Sequence, residues 1–291
     1  MDPWLTDTTK ELLFQPCLQI SGHIGRRLDN RRQMDDTIDE RTLTDDFVDH
    51  FDSRSNMSAW NTVASRLKEQ QIYLNTTVKK STREYLIGAD IGLVIRRSIY
   101  QPNCRSTSTY AVLVQCKRVD NEGLIADFHH EVKGSGRRQA SLMLDITPSA
   151  FYFIFTPPSL VKTYCTFEPL AFAAPAQGCS SPVWNMGCFE FDSPSLPFIS
   201  AQQQAEATGV LVVPALAVDA QESKGKGARI SSVLPNALPL WYWFGELLIP
   251  GFIGDYRSDA IAVARNTVGS EQQINHEFSV KNSIEFGFGN G

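Results

Sequence analysis

Three polar side chains stand at the ends of two strongly apolar runs. Asp90 opens the run 91–95 (IGLVI), and Gln115 and Lys117 close the run 110–114 (YAVLV). Both runs have strand length, are rich in β-branched residues, and are bounded by turn-forming residues. Alternate residues of a strand share a face, so Gln115 and Lys117 point one way and Cys116 the other. If the runs pair as a hairpin, Asp90, Gln115 and Lys117 meet at one end of a sheet. A carboxylate, an amide oxygen and an ammonium gathered there suit a hard divalent cation and a phosphate.

Gly88-Ala89-Asp90 ahead of one strand, then Gln115-Cys116-Lys117 at the end of the next, resembles the restriction-endonuclease-like (PD-(D/E)xK) nuclease superfamily. The form is the D…QxK one, in which Gln replaces the second acid. The resemblance implies an α/β fold with an αβββαβ core, N-terminal helices and C-terminal strand and helix additions. It divides the chain into a helical extension (1–35), a nuclease core (36–160) and an elaboration packed on the same domain (161–291). It implies a Mg²⁺-dependent endonuclease, with Mn²⁺ able to substitute, that hydrolyses phosphodiester bonds in DNA and serves bacterial antiphage defence or restriction.

Carried over residue by residue, the resemblance makes Asp90 the principal metal ligand. Gln115 would offer its side-chain carbonyl, a neutral and weaker ligand, and the backbone carbonyl of Cys116 would join them. Lys117 would stabilise the pentacovalent phosphate or orient the attacking water. In this superfamily a helix before the first core strand often donates a Glu, which here points to Glu40. Glu84, six residues before Asp90, is the alternative ligand. Gln139, in the helix after the lysine strand, would support a ligand without touching the metal.

The elements that must position these residues follow from periodicity. Residues 3–33 repeat apolar positions at helical spacing, with Pro16 expected to break or kink the run. A second helix is expected over 40–51, with its N-terminal cap in the stretch from Thr42 to Asp45 or Asp46, and a third over 57–70. Residues 72–78 read as the first core strand. The stretch 96–109 reads as a long polar loop into which the flanking strands can continue. A helix over 136–146 and a buried strand over 151–155 (FYFIF) complete a strand, strand, strand, helix, strand order. Continuous apolar strands of this kind belong in a sheet covered on both faces. Residues 160–200 read as an irregular packed insertion, and 209–218 as a buried strand that Pro214 makes an edge or a bulge. Residues 221–229 read as a flexible loop. Residues 239–250 read as a short apolar helix in the core or at a subunit interface. The end of the chain reads as a strand packing late or on a partner chain.

Several basic residues could meet a phosphate backbone: Lys79 and Lys80 after the first core strand, and Lys133, Arg137 and Arg138 near the start of the later helix, where free backbone N–H groups also favour phosphate. The plainer reading of each is a solvated turn or helix end. Arg26, Arg27, Arg31 and Arg32 are open to the same two readings. His129 and His130 are adjacent and read as surface histidines.

Composition sets outer bounds. The 291 residues are 42% hydrophobic, enough to bury a core. The net charge of -5 weighs mildly against a nucleic-acid binder, though local patches rather than the sum steer binding. No apolar run approaches membrane-spanning length and the first residues do not resemble a signal peptide, so a cytoplasmic protein without membrane contact is expected. The six cysteines show no CxxC pair and read as free thiols in a reducing compartment. Duplex DNA is the expected partner, with a regulatory protein possible and a homo-oligomer expected for cutting both strands. Two other readings stay open: an inactive nuclease-fold binding or assembly module, and an RNA-cleaving toxin using the same site, since the chemistry acts on the shared phosphate.

Overall fold

The computed structural model of the chain describes residues 6–80, 87–101, 104–132, 136–164, 207–220, 227–266 and 278–290. Three helices come first: α1 (Asp7–Gln33), α2 (Glu40–Asp49) and α3 (Trp60–Glu69). Strands β1 (Ile72–Lys80), β2 (Ile87–Gln101) and β3 (Cys104–Arg118) follow, then the short β4 (Leu124–Ile125), α4 (Gln139–Ile146), β5 (Ala150–Phe155) and α5 (Pro158–Tyr164). Beyond the next undescribed stretch lie β6 (Val210–Pro214), α6 (Ala215–Asp219), β7 (Ala228–Arg229), α7 (Ile230–Val233), β8 (Leu238–Pro239), α8 (Leu240–Tyr242, continued π-helically over Trp243–Leu248), α9 (Ser258–Ala264) and β9 (Phe278–Asn290).

The chain is therefore α/β. Seven strands form one mixed sheet in the order β1-β9-β2-β3-β5-β6-β8, while β4 and β7 pair separately. The expected hairpin is present: β2 and β3 run antiparallel from Ile91 opposite Val114 to Gln101 opposite Cys104. β5 lies parallel to β3, with Gln115 opposite Tyr152.

Alternation along the strands sends residues into two cores. Tyr110, Val112, Val114 and Cys116 join one with Phe151, Phe153 and Phe155, covered by α1, α2, α3 and α8. Ala111, Leu113, Tyr152 and Ile154 join the other, covered by α4, α6, α7 and α9. A sheet covered on both faces has no solvent side, which is why its strands read as continuous apolar runs.

Local expectations are corrected at five places. Pro16 lies inside α1 without ending it. Its ring removes one backbone donor, but Leu13, Cys17, Ile20, Ile24 and Leu28 stay buried along one side, and that packing holds the helix together. The cap of α2 is Asp39, whose carboxylate accepts from the backbone N–H of Thr42. The polar stretch 96–109 is mostly strand: Arg96 pairs with Thr109 and the ladder runs on to the tip. Its Arg97 donates to Ser108 Oγ and to the carbonyl of Pro250, and lies over the Tyr110 ring. Pro214 ends β6, and α6 starts at the next residue. The C-terminal strand β9 does not wait for a partner chain. It is parallel to β2 and antiparallel to β1, between the two. Phe286 of β9 reaches the rings of Phe51, Trp60 and Phe244, which anchors it in the first core.

Of the 160–200 insertion only 160–164 are described, and they belong to α5; of the 221–229 loop, 227–229 are described and carry β7. No helix among the described residues is long and apolar enough to cross a membrane.

At Gly92 the C-terminal end of α9 lies directly against the sheet. A Cβ there would sit 2.2 Å from the carbonyl oxygen and 2.6 Å from the Cα of Ala264, both backbone atoms that cannot rotate away. Gly92→Ala should therefore destabilise the protein by about 1–3 kcal/mol through overpacking. Urea unfolding checks this, and a loss below about 0.5 kcal/mol, the range of ordinary surface changes, would show that α9 yields freely.

Candidate active site

Asp90 has relatively little freedom. Its side chain is 5% exposed, and each of its oxygens has a partner. Oδ2 accepts from the backbone N–H of Cys116 at 2.9 Å and from the Gln115 amide nitrogen. Oδ1 accepts from the Lys281 ammonium at 2.6 Å. The Asn282 amide donates to the backbone carbonyl of Asp90 at 3.3 Å. The carboxylate therefore ties β2 to both of its neighbours, β3 on one side and β9 on the other.

Gln115 and Lys117 leave β3 together, as alternation requires, while the Cys116 thiol turns into the first core and is fully buried. Burial holds that thiol well above its ordinary value, and the Asp90 charge adds to the effect. Gln139, the first residue of α4, donates from its amide nitrogen to the Gln115 oxygen. Gln139, Gln115 and Asp90 thus form a chain of hydrogen bonds across three elements.

Lys117 reaches Glu40, the first residue of α2, at 3.4 Å. The ammonium is 9% exposed and the carboxylate 36%. Burial raises the Glu40 carboxyl above its ordinary range; Lys117 opposes the shift and the Asp90 charge reinforces it. Tyr152, opposite Gln115 on β5, is buried beside them, and burial together with the Asp219, Asp90 and Glu40 charges pushes its phenol far upward.

The structure thus brings Asp90, Gln115, Lys117, Glu40 and Gln139 to one end of the central strands. Glu84 and Lys133 fall outside the described residues. The basic candidates among the described residues make contacts of their own. Lys79 is exposed, Lys80 pairs with Asp49 at 2.7 Å, Arg137 pairs with Asp145 at 2.5 Å, and Arg138 donates to the carbonyl of Asp219. Exposed ion pairs are worth only about 0–1 kcal/mol, so those formed by Lys80 and Arg137 add little to stability. His130 is exposed, but His129 is not the expected surface histidine. It is buried edge-on against Phe128, a member of the second core, and burial lowers its pKa.

Among the described residues, no three His, Cys, Asp or Glu side chains are grouped to hold a metal ion. The available donors are the two carboxylates of Asp90 and Glu40, the Cys116 carbonyl and the Gln115 amide. This set suits Mg²⁺, which takes one or two carboxylates and completes its shell with water and substrate phosphate. It lacks the nitrogen and sulfur ligands that zinc favours. The Lys281 ammonium on Asp90 is itself a cation on the expected ligand. One expectation meets a different geometry: Gln115 directs its amide nitrogen, not its carbonyl, toward Asp90. A carboxylate can only accept, so the nitrogen must face it while Gln139 occupies the oxygen. Ligation by Gln115 would require the amide to turn over.

Lys281, Asn282 and Tyr152 are site residues that sequence reasoning missed. Alternating Ile284, Phe286 and Phe288 mark β9 as a strand, but no local signal says which strand it joins.

No family model matches the sequence, and no curated protein or solved structure matches it either.

Asp90 accepts from a buried backbone N–H and a buried amide at once, so Asp90→Ala leaves the Cys116 N–H without this acceptor and the Gln115 amide with the more distant Cys116 carbonyl at 3.3 Å. The expected cost is about 1–3 kcal/mol. Asp90→Asn keeps an oxygen for the Cys116 N–H and should cost less. Thermal unfolding followed by circular dichroism measures both, and an Asp90→Ala protein as stable as wild type would show that this carboxylate does not organise the strand ends.

Proposed function

We propose that this chain is a metal-dependent endonuclease that hydrolyses phosphodiester bonds, with duplex DNA as its substrate. The observation that carries the reading is the meeting of Asp90, Gln115, Lys117 and Glu40 at one sheet end, although they come from three elements spread over 77 residues of chain. The chain order β1, β2, β3, α4, β5 is the one expected of a restriction-endonuclease-like core and supports the same reading, with β9 set between β1 and β2.

A Mg²⁺ bound there would neutralise phosphate charge and make its water a better nucleophile. The chain's own residues do the rest. Asp90 and Glu40 would hold the ion through oxygen, with the Cys116 carbonyl beside them. Lys117, buried and already oriented by Glu40, would turn its ammonium toward the phosphate oxygens as negative charge builds on them. A cation placed in advance in a site poor in water stabilises that charge at little reorganisation cost. Gln139 keeps Gln115 from drifting, which in turn positions Asp90.

One observation favours a second reading, a nuclease-fold module that binds nucleic acid without cutting it. Asp90 is already neutralised by Lys281, so the site is electrically complete without a metal.

Plasmid nicking with Mg²⁺ or Mn²⁺ separates the two. Wild type should cut, EDTA should stop it, and Lys117→Ala and Asp90→Asn should each lower the rate at least about 100-fold, the scale of removing one transition-state charge contact, with folding checked by circular dichroism. Folded variants that cut like wild type would place the activity elsewhere. Wild type that binds duplex DNA but never cuts it would favour the binding module.

A further inference from the structure

We propose that Lys281 is a built-in counter-cation of Asp90 that a divalent metal must displace, so that β9 sets the metal affinity of the site. The inference rests on the metal-site reading above.

The two lysines of the site differ in a way that assigns them different work. Each neutralises one carboxylate: Lys117 that of Glu40, Lys281 that of Asp90. Lys117 is 9% exposed, enclosed at the end of β3. Lys281 is 61% exposed, while the carboxylate it grips is 5% exposed. A long, flexible, well-hydrated side chain can leave for solvent at little cost. A buried carboxylate cannot follow it, and must keep a partner or become neutral.

The hydrogen bonds say which side of Asp90 is open to exchange. Oδ2 is held by the Cys116 backbone and by Gln115, partners fixed in a strand. Oδ1 is held by the Lys281 ammonium. An incoming metal would meet Asp90 at Oδ1, where Lys281 Nζ already sits at 2.6 Å. Two cations do not share that position: they repel, and they compete for the same lone pairs.

Charge counting points the same way. With both lysines in place, Asp90 and Glu40 are balanced and the site is neutral. A divalent ion added without displacement leaves two surplus charges; with Lys281 turned out to solvent it leaves one, which matches a single backbone phosphate. Metal and lysine therefore alternate on Asp90, and the metal-free protein keeps its buried carboxylate satisfied.

The test is direct binding of Mn²⁺, with no nucleic acid present, followed by the free Mn²⁺ paramagnetic resonance signal. The full chain is compared with Lys281→Met and Lys281→Gln. Lys281→Gln retains a donor for Asp90 and serves if Lys281→Met does not fold. Both variants should bind Mn²⁺ at least about tenfold tighter than wild type, a modest share of a cation–cation repulsion at this range. Asp90→Asn should abolish binding in each background. The variants should also melt at lower temperature than wild type in EDTA and recover more on adding Mn²⁺. If wild type binds Mn²⁺ and folded Lys281 variants bind it equally or more weakly, Lys281 is not a competitor and the proposal fails alone. If neither wild type nor variants bind Mn²⁺ or gain thermal protection from it, the metal-site reading fails and takes this proposal with it.

Discussion

The site depends on a single buried carboxylate. Asp90 has to find acceptor-satisfying partners within a protein interior where an unpartnered charge is costly. It finds them on both neighbouring strands: the Cys116 N–H and Gln115 amide on β3, and the Lys281 ammonium on β9. Meeting that requirement brings the ends of three strands into register. Everything else in the site is arranged around it. Gln139 fixes Gln115 from α4, Glu40 fixes Lys117 from α2, and Asn282 holds the Asp90 backbone.

The fold makes this affordable because the sheet is covered on both faces. Helices α1, α2, α3 and α8 close one side and α4, α6, α7 and α9 the other, leaving the strand ends as the places where polar side chains can gather. The same burial that stabilises the sheet perturbs the groups at its end. Glu40, Cys116 and Tyr152 are all raised, each with burial as the leading cause and neighbouring carboxylates adding to it.

Much of this was legible in the chain. The β-branched runs around Leu93 and Val112 are strands that pair as a hairpin, and FYFIF is a strand beside them. Cys116 does point away from Gln115 and Lys117. What failed were single-residue rules overruled by context. Pro16, expected to break or kink α1, does not end it, because burial of Leu13, Cys17 and Ile20 outweighs one lost hydrogen bond. Ser and Thr between Arg96 and Thr109 read as a loop into which the strands could continue, and the strands take nearly all of it as a long paired ladder. His129 looked like a surface residue because nothing local reveals that Phe128 carries it into the second core.

By itself the sequence determined the local elements and the chemical character of the groups they carry: an acid near the start of one strand, an amide and an ammonium near the end of the next. These depend on alternation, helical period and side-chain chemistry, all of which act within a few residues. Only the tertiary structure decided who meets whom. Lys281 lies 191 residues from Asp90 and Lys117 lies 77 from Glu40. Backbone ladders pair any strand with any other on equal terms, so β9 could have taken an edge. Its place between β1 and β2 comes from burying Ile284, Phe286 and Phe288 in the first core, a gain that exists only once the whole sheet is assembled.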